Sequence, residues 1–225
     1  MSAAQINTQL GLAYMQRGDL KGAMSALKKA LAENPDLAEA QMSIAVLYQR
    51  LGENDNARRH YVRAVQLAPD DPPTLNNYGL FLCSPGEPAK SEQYFERAAK
   101  NPLYRTPQVP LTNAGVCSIK QGKKDQAEKY FLRALKADPR FPAALLHMAE
   151  LRYRSGNYLS ARGYYQRYLA VAPPNAELLG VAIKVERKLG DQNAVASYSL
   201  LLKSKYPDSE ETRQLLKMEK NGQSD

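Results

Sequence analysis

The sequence predicts an all-α protein: a right-handed α-solenoid of six helix-turn-helix repeats plus a C-terminal capping helix. Three observations predict it. A set of small, large and helix-ending residues recurs every 34 positions. Each recurrence puts glycine where a first helix must stop and proline where a second must stop. One such unit cannot bury its own apolar face, so units must stack.

The elements follow in order. Repeat one (4–37) carries Leu10, Gly11, Tyr14, Gly18, Ala23, Leu27, Ala30 and Pro35. Repeat two (38–71) answers with Ile44, Ala45, Tyr48, Gly52, Ala57, Tyr61, Ala64 and Pro69. Repeat three (72–107) reads Tyr78, Gly79, Leu82, Gly86, Ser91, Phe95 and Ala98. Its Pro102 comes one residue early, and a two-residue insertion follows within 103–108. Repeat four (108–141) resumes with Ala114, Gly115, Gly122, Ala127, Phe131, Ala134 and Pro139, and repeat five (142–175) with Ala149, Gly156, Ala161, Tyr165 and Pro173. Repeat six (176–209) is degenerate and keeps Gly190 and Pro207. Residues 210–225 form a cap and tail, with Asp208 or Ser209 placed to cap the last helix and acidic residues in its first turn.

The residue types have mechanical roles. Gly11, Ala45, Gly79, Gly115 and Ala149 let each first helix approach its partner. Ala23, Ala57, Ala127 and Ala161 do the same from the second helix. Leu27, Tyr61, Phe95, Phe131 and Tyr165 fill the space between units. Glycines 18, 52, 86, 122, 156 and 190 take the left-handed conformation at helix ends. Prolines 35, 69, 139, 173 and 207 stop the second helices. This pattern resembles the tetratricopeptide repeat, and the resemblance covers nearly the whole chain.

Composition excludes several classes. Apolar residues make up 44% and charged residues 24%, as in a folded protein and unlike a disordered one. No stretch approaches the ~18 consecutive apolar residues of a membrane span. The first residues, Met1 to Gln5, lack the basic and apolar regions of an export signal. The net charge of +8 is concentrated in repeats four and five. A basic surface of that kind is expected to be solvated, since no aromatic-interleaved basic motif accompanies it; no nucleic-acid partner is expected.

No catalytic or cofactor motif is present. There is no phosphate-binding glycine loop and no His-Glu-x-x-His pattern. His60 and His147 lie in different repeats, and Cys83 and Cys117 lack the close spacing of a zinc site. No enzyme activity, cofactor or metal is expected. The two cysteines occupy nearly level positions on neighbouring first helices, so residue spacing allows either a bridge or two buried thiols.

Stacked first helices line the concave face of tetratricopeptide proteins. By that analogy the floor of the groove is Leu12, Met15, Met42, Val46, Leu80, Val116, Ile119, Leu146 and Tyr153, with Thr8, Gln16, Gln49, Arg50, Asn76, Thr112, Lys120 and Arg154 interleaved. The candidate partner-binding set is Leu12, Met15, Met42, Val46, Gln49, Asn76, Leu80 and Thr112. The Lys/Asn carboxylate clamp of chaperone-binding members is absent: the corresponding positions hold Thr8/Leu12, Met42/Val46, Asn76/Leu80 and Thr112/Val116. An apolar, methionine-bearing floor suits an extended or helical apolar segment of another protein.

A narrower resemblance rests on Asn76-Asn77-Tyr78-Gly79-Leu80-Phe81-Leu82-Cys83, the insertion between Asn101 and Pro110, Asn113-Ala114-Gly115-Val116-Cys117, Ala161-Arg162-Gly163-Tyr164-Tyr165 and Tyr206-Pro207-Asp208-Ser209. Together these resemble the type IV pilus biogenesis lipoproteins of the PilF/PilW group, or secretin pilotins, over roughly residues 5–215. The resemblance implies lipid anchorage to the inner leaflet of the outer membrane, on its periplasmic face. It implies binding to the pilus secretin subunit, promotion of its localisation and multimerisation, and a Cys83–Cys117 disulfide; other pilus assembly proteins are further partners. No lipobox cysteine precedes Met1, so on this resemblance the anchor is expected to belong to a segment missing from these residues. The alternative is a general tetratricopeptide interaction scaffold or co-chaperone.

Overall fold

The computed structural model describes residues 1–84 and 87–220. Among them are thirteen α-helices and no strand. They are α1 (Ala3–Gln16), α2 (Leu20–Glu33), α3 (Ala38–Arg50), α4 (Asn54–Leu67), α5 (Pro72–Cys83), α6 (Pro88–Lys100), α7 (Gln108–Lys120), α8 (Lys124–Ala137), α9 (Pro142–Arg154), α10 (Tyr158–Leu169), α11 (Ala176–Leu189), α12 (Gln192–Lys205) and α13 (Glu210–Lys220). The chain divides into two units, Met1–Cys117 and Ser118–Asp225.

In the first unit, α1/α2, α3/α4 and α5/α6 are helical hairpins, and α3 also packs on α1 and α5. The recurrent residues explain the packing. Ala23, Ala45, Ala57, Leu27, Tyr61 and Phe95 are fully or almost fully buried. At Gly11 an added Cβ would stand 2.6 Å from Leu27 Cγ, and at Gly79 2.8 Å from the Phe95 ring. Only glycine permits those two approaches of first helix to second. The turn glycines obey a different requirement. Gly18, Gly52, Gly122, Gly156 and Gly190 have φ between 74° and 80°, the left-handed region that ends a helix at little cost for glycine. Gly86, expected to do the same, lies outside the described residues, as do 221–225.

Polar caps set several helix starts. Ser2 and Gln5 form a reciprocal capping box on α1, with bonds of 2.8 and 3.2 Å. Asp19, Asp71, Asn175 and Asp191 each accept a backbone N–H at 2.8–3.0 Å. The helix ends mostly meet the proline expectation: α2 and α4 stop at Asn34 and Ala68, each directly before its proline. At Pro173 the structure differs. Helix α10 ends at Leu169, and Val171 and Ala172 both donate to the Tyr168 carbonyl in a turn. The Pro173-Pro174 pair disfavours helix ahead of it, and the chain leaves the helix early.

In the second unit, α9/α10 and α11/α12 are hairpins, and α11 also packs on α9 and α13. Helix α13 closes the end. Ser209 caps it, accepting the Thr212 N–H at 3.1 Å, and Glu210 and Glu211 occupy its first turn. It lies over Gly180, where a Cβ would come within 2.9 Å of Glu211 Cγ. Its own Thr212 and Leu215 are buried. One core cluster of this unit is Leu179, Ile183, Leu202 and Leu215.

Candidate functional site

A cleft of about 330 Å³ opens in the first unit, lined by Val46, Gln49, Arg50, Tyr61, Asn77 and Leu80. Its walls are the first helices of repeats two and three, α3 and α5. They are held together from below by an aromatic cluster. Tyr61 stacks against Tyr78 (5.6 Å) and meets Phe81 at a tilt (5.1 Å), and Tyr94 meets Tyr78 edge-on at 4.8 Å. The Arg58 guanidinium lies over Phe81 at 5.2 Å and pairs with Glu87 at 2.5 Å. Aromatic packing of this kind gives the cleft a stiff floor.

Each polar side chain in the lining is oriented by a bond of its own. The Tyr61 hydroxyl donates to Gln49 Oε1 at 2.9 Å. Arg50 Nη1 donates to the Met15 carbonyl at 3.2 Å, reaching across to the last turn of α1. Asn77 Nδ2 lies 3.4 Å from the Met42 sulfur. Burial pushes the Tyr61 phenol well above its ordinary pKa, with Arg50 opposing, so it remains a neutral hydrogen-bond donor. Val46 is half-buried against two core clusters, and Leu80 remains 38% exposed. The lining offers apolar contact, amide groups and one guanidinium. Among the described residues, the lining contains no carboxylate, imidazole or thiol. Such a surface can hold an extended segment of another protein by side-chain and main-chain hydrogen bonds.

The eight groove residues expected from the sequence have different fates. Val46, Gln49 and Leu80 line the cleft. Met42 adjoins it through Asn77, and Leu12 packs on the same core cluster as Val46. Met15 is 5% exposed and belongs to the core. Asn76 is buried and accepts from Asn113 Nδ2 at 2.8 Å. Thr112 is buried and donates to the Gln108 carbonyl at 2.8 Å. These last three face inward: Met15 packs in an apolar core cluster, and the polar groups of Asn76 and Thr112 are satisfied by their neighbours. Sequence reasoning missed Asn77 and Tyr61. Asn77 sits beside a residue of the expected floor. Tyr61 comes from a second helix, and only its length brings its hydroxyl to the groove side.

Cys83, at the end of α5, is joined by a disulfide to Cys117 on α7, with Cα atoms 5.7 Å apart. Ser91 Oγ lies 3.1 Å from Cys117 Sγ. The bond ties one wall of the cleft to the next first helix. Among the described residues, no helix is long and apolar enough to cross a membrane. His60 has a structural role: its Nδ1 meets Gln41 Oε1 at 2.7 Å and its ring stacks on Tyr48.

These features define a tetratricopeptide-repeat protein, and the family's description matches residues 14–76 and 119–177. The chain is 34% identical to the type IV pilus assembly protein PilF of Pseudomonas aeruginosa over 201 residues, 89% of this chain and 80% of that one. It belongs to the PilF family of tetratricopeptide type IV pilus assembly proteins. Its fold matches the crystal structure of PilW, a widely conserved type IV pilus biogenesis factor, with a TM-score of 0.83 and 34% identity over 96% of this chain and 99% of the other. The solved P. aeruginosa PilF matches with a TM-score of 0.81 and 33% identity over 95% and 96%.

Proposed function

We propose that this chain is a non-enzymatic type IV pilus biogenesis factor that binds the outer-membrane secretin subunit and promotes its localisation and multimerisation. It works at the periplasmic face of the outer membrane, tethered there by a lipid anchor. The observation that carries this reading is kinship with PilF and PilW across almost the full length of both partners. The cleft of repeats two and three supports it. Its lining suits a protein segment that presents apolar side chains to Val46 and Leu80 and main-chain groups to Gln49, Arg50 and Asn77. A disulfide beside the cleft suits the oxidising periplasm.

The test is calorimetric titration of the chain with the periplasmic portion of the cognate secretin. Saturable binding is expected. Leu80→Glu, at an exposed cleft position, and the double variant Met42→Glu/Val46→Glu are each expected to weaken it at least about tenfold, a loss of ~1.4 kcal/mol. Circular dichroism of Leu80→Glu is expected to match the parent. Undiminished binding by Leu80→Glu would move the site elsewhere on the chain. Absence of binding by the parent would remove the secretin as partner.

A further inference from the structure

Three metal-ligating side chains converge in the second unit, away from the cleft. His147 and Glu150 stand three residues apart on α9 and so share a helix face. Glu177 lies in the first turn of α11, which packs on α9. One ligand atom from each, an imidazole nitrogen and two carboxylate oxygens, lies within 4.8 Å of the other two.

The three groups are poised and underused. The His147 ring is half-buried and stacks on Phe131, with centroids 5.4 Å apart and planes 21° apart, which sets its orientation. Among the described residues, no hydrogen bond or ion pair engages the ring nitrogens of His147 or the carboxylate of Glu177. Glu150 is paired with Arg154, which is on its own helix and largely exposed.

We infer that His147, Glu150 and Glu177 form a binding site for a first-row divalent transition-metal ion of the zinc or cobalt type. One imidazole with two carboxylates suits such ions, while magnesium and calcium favour all-oxygen shells. Ligands at ~2.0–2.2 Å from one ion sit roughly 3–3.5 Å from each other. Closing a spacing of at most 4.8 Å to that range takes about 1 Å of movement, which rotation of the Glu150 and Glu177 side chains supplies. Water fills the remaining positions. The ion would staple the first helix of repeat five to that of repeat six.

The test uses the untagged full chain and the metals alone. Calorimetry with zinc chloride is expected to show one saturable equivalent, with a rise in melting temperature. Cobalt(II) is expected to give visible absorption bands that zinc abolishes. Glu177→Gln and His147→Gln are each expected to weaken zinc binding at least about tenfold. His60→Gln, at the other histidine, leaves it unchanged. Glu177 is exposed, so its variant keeps the fold, and matching circular dichroism verifies this. Three results would overturn the site: no saturable zinc binding by the parent, binding retained in both the Glu177 and His147 variants, or magnesium competing at equal concentration.

Discussion

The two units are built on one repeat template but secure neighbouring repeats by different chemistry. In residues 1–117 the fastening is covalent and aromatic: the Cys83–Cys117 bond and the cluster of Tyr61, Tyr78, Phe81 and Tyr94. In residues 118–225 it is ionic. Glu186 of α11 is completely buried and accepts from Arg162 and from the Tyr165 hydroxyl, both on α10. Asp191 adds a second, longer contact to Arg162 at 3.7 Å. Tyr61 and Tyr165 are equivalent positions of the repeat, but their hydroxyls turn opposite ways along the chain: Tyr61 back to α3 of its own hairpin, Tyr165 on to α11 of the next. In the first unit it donates to the Gln49 amide at the cleft. In the second it donates to the buried Glu186 carboxylate. The lesson is that the filler tyrosine is a fixed part of the template while its hydrogen-bond partner is not: an amide beside the cleft in one unit, a buried carboxylate between two hairpins in the other.

Removal of the buried acid should give the largest effect. Glu186→Ala strands Arg162 and the Tyr165 hydroxyl in the interface, and a loss of about 3–5 kcal/mol is expected in urea unfolding. Helices of the second unit should lose hydrogen-exchange protection first. A loss under ~1 kcal/mol would show that the ionic joint is not what holds that unit.

The disulfide comes next. Its sequence separation of 34 residues gives about 3–4 kcal/mol in the chain-entropy picture. Cys83→Ser/Cys117→Ser, or reduction of the parent, should lower the urea midpoint accordingly. In the same measurement, reductant should leave the double variant unaffected. If reductant destabilises both proteins alike, the bond is not the fastening of the first unit.

Helical glycines give a finer contrast. Gly79→Ala drives a methyl into the Phe95 ring and should cost about 1–3 kcal/mol. Gly163 lies on an open face of α10 with nothing within 4 Å of a Cβ, so Gly163→Ala should stabilise by about 0.5–1 kcal/mol. Melting temperatures of the two single variants read opposite signs. A loss at Gly163 would mean that α10 has a close neighbour on that face.

The architecture was readable in the sequence because each repeat states the same packing rule again. Small residues at 11, 45 and 79 and the turn glycines can only mean close helix approach and left-handed helix ends. The cleft was readable in part. Val46, Gln49 and Leu80 follow from their place in the repeat. Met15, Asn76 and Thr112 occupy equally plausible places, yet they are buried, because the neighbours each meets, and not periodicity, settle which groove-side residues remain open. The convergence of His147, Glu150 and Glu177 has no linear signature. Its ligands come from two repeats and meet only because α9 and α11 stack.

By itself, then, the sequence determined the helix count per repeat, the turn positions, the family and the residues that let helices approach. Those properties are local, or recur with the repeat, and leave a periodic trace. Tertiary structure alone decided that Tyr61 reaches Gln49, that Glu186 sits fully buried with Arg162 and Tyr165, and which groove residues face outward. Each of these depends on side chains from different helices meeting within hydrogen-bond distance, and distance across a stack is not written in residue order.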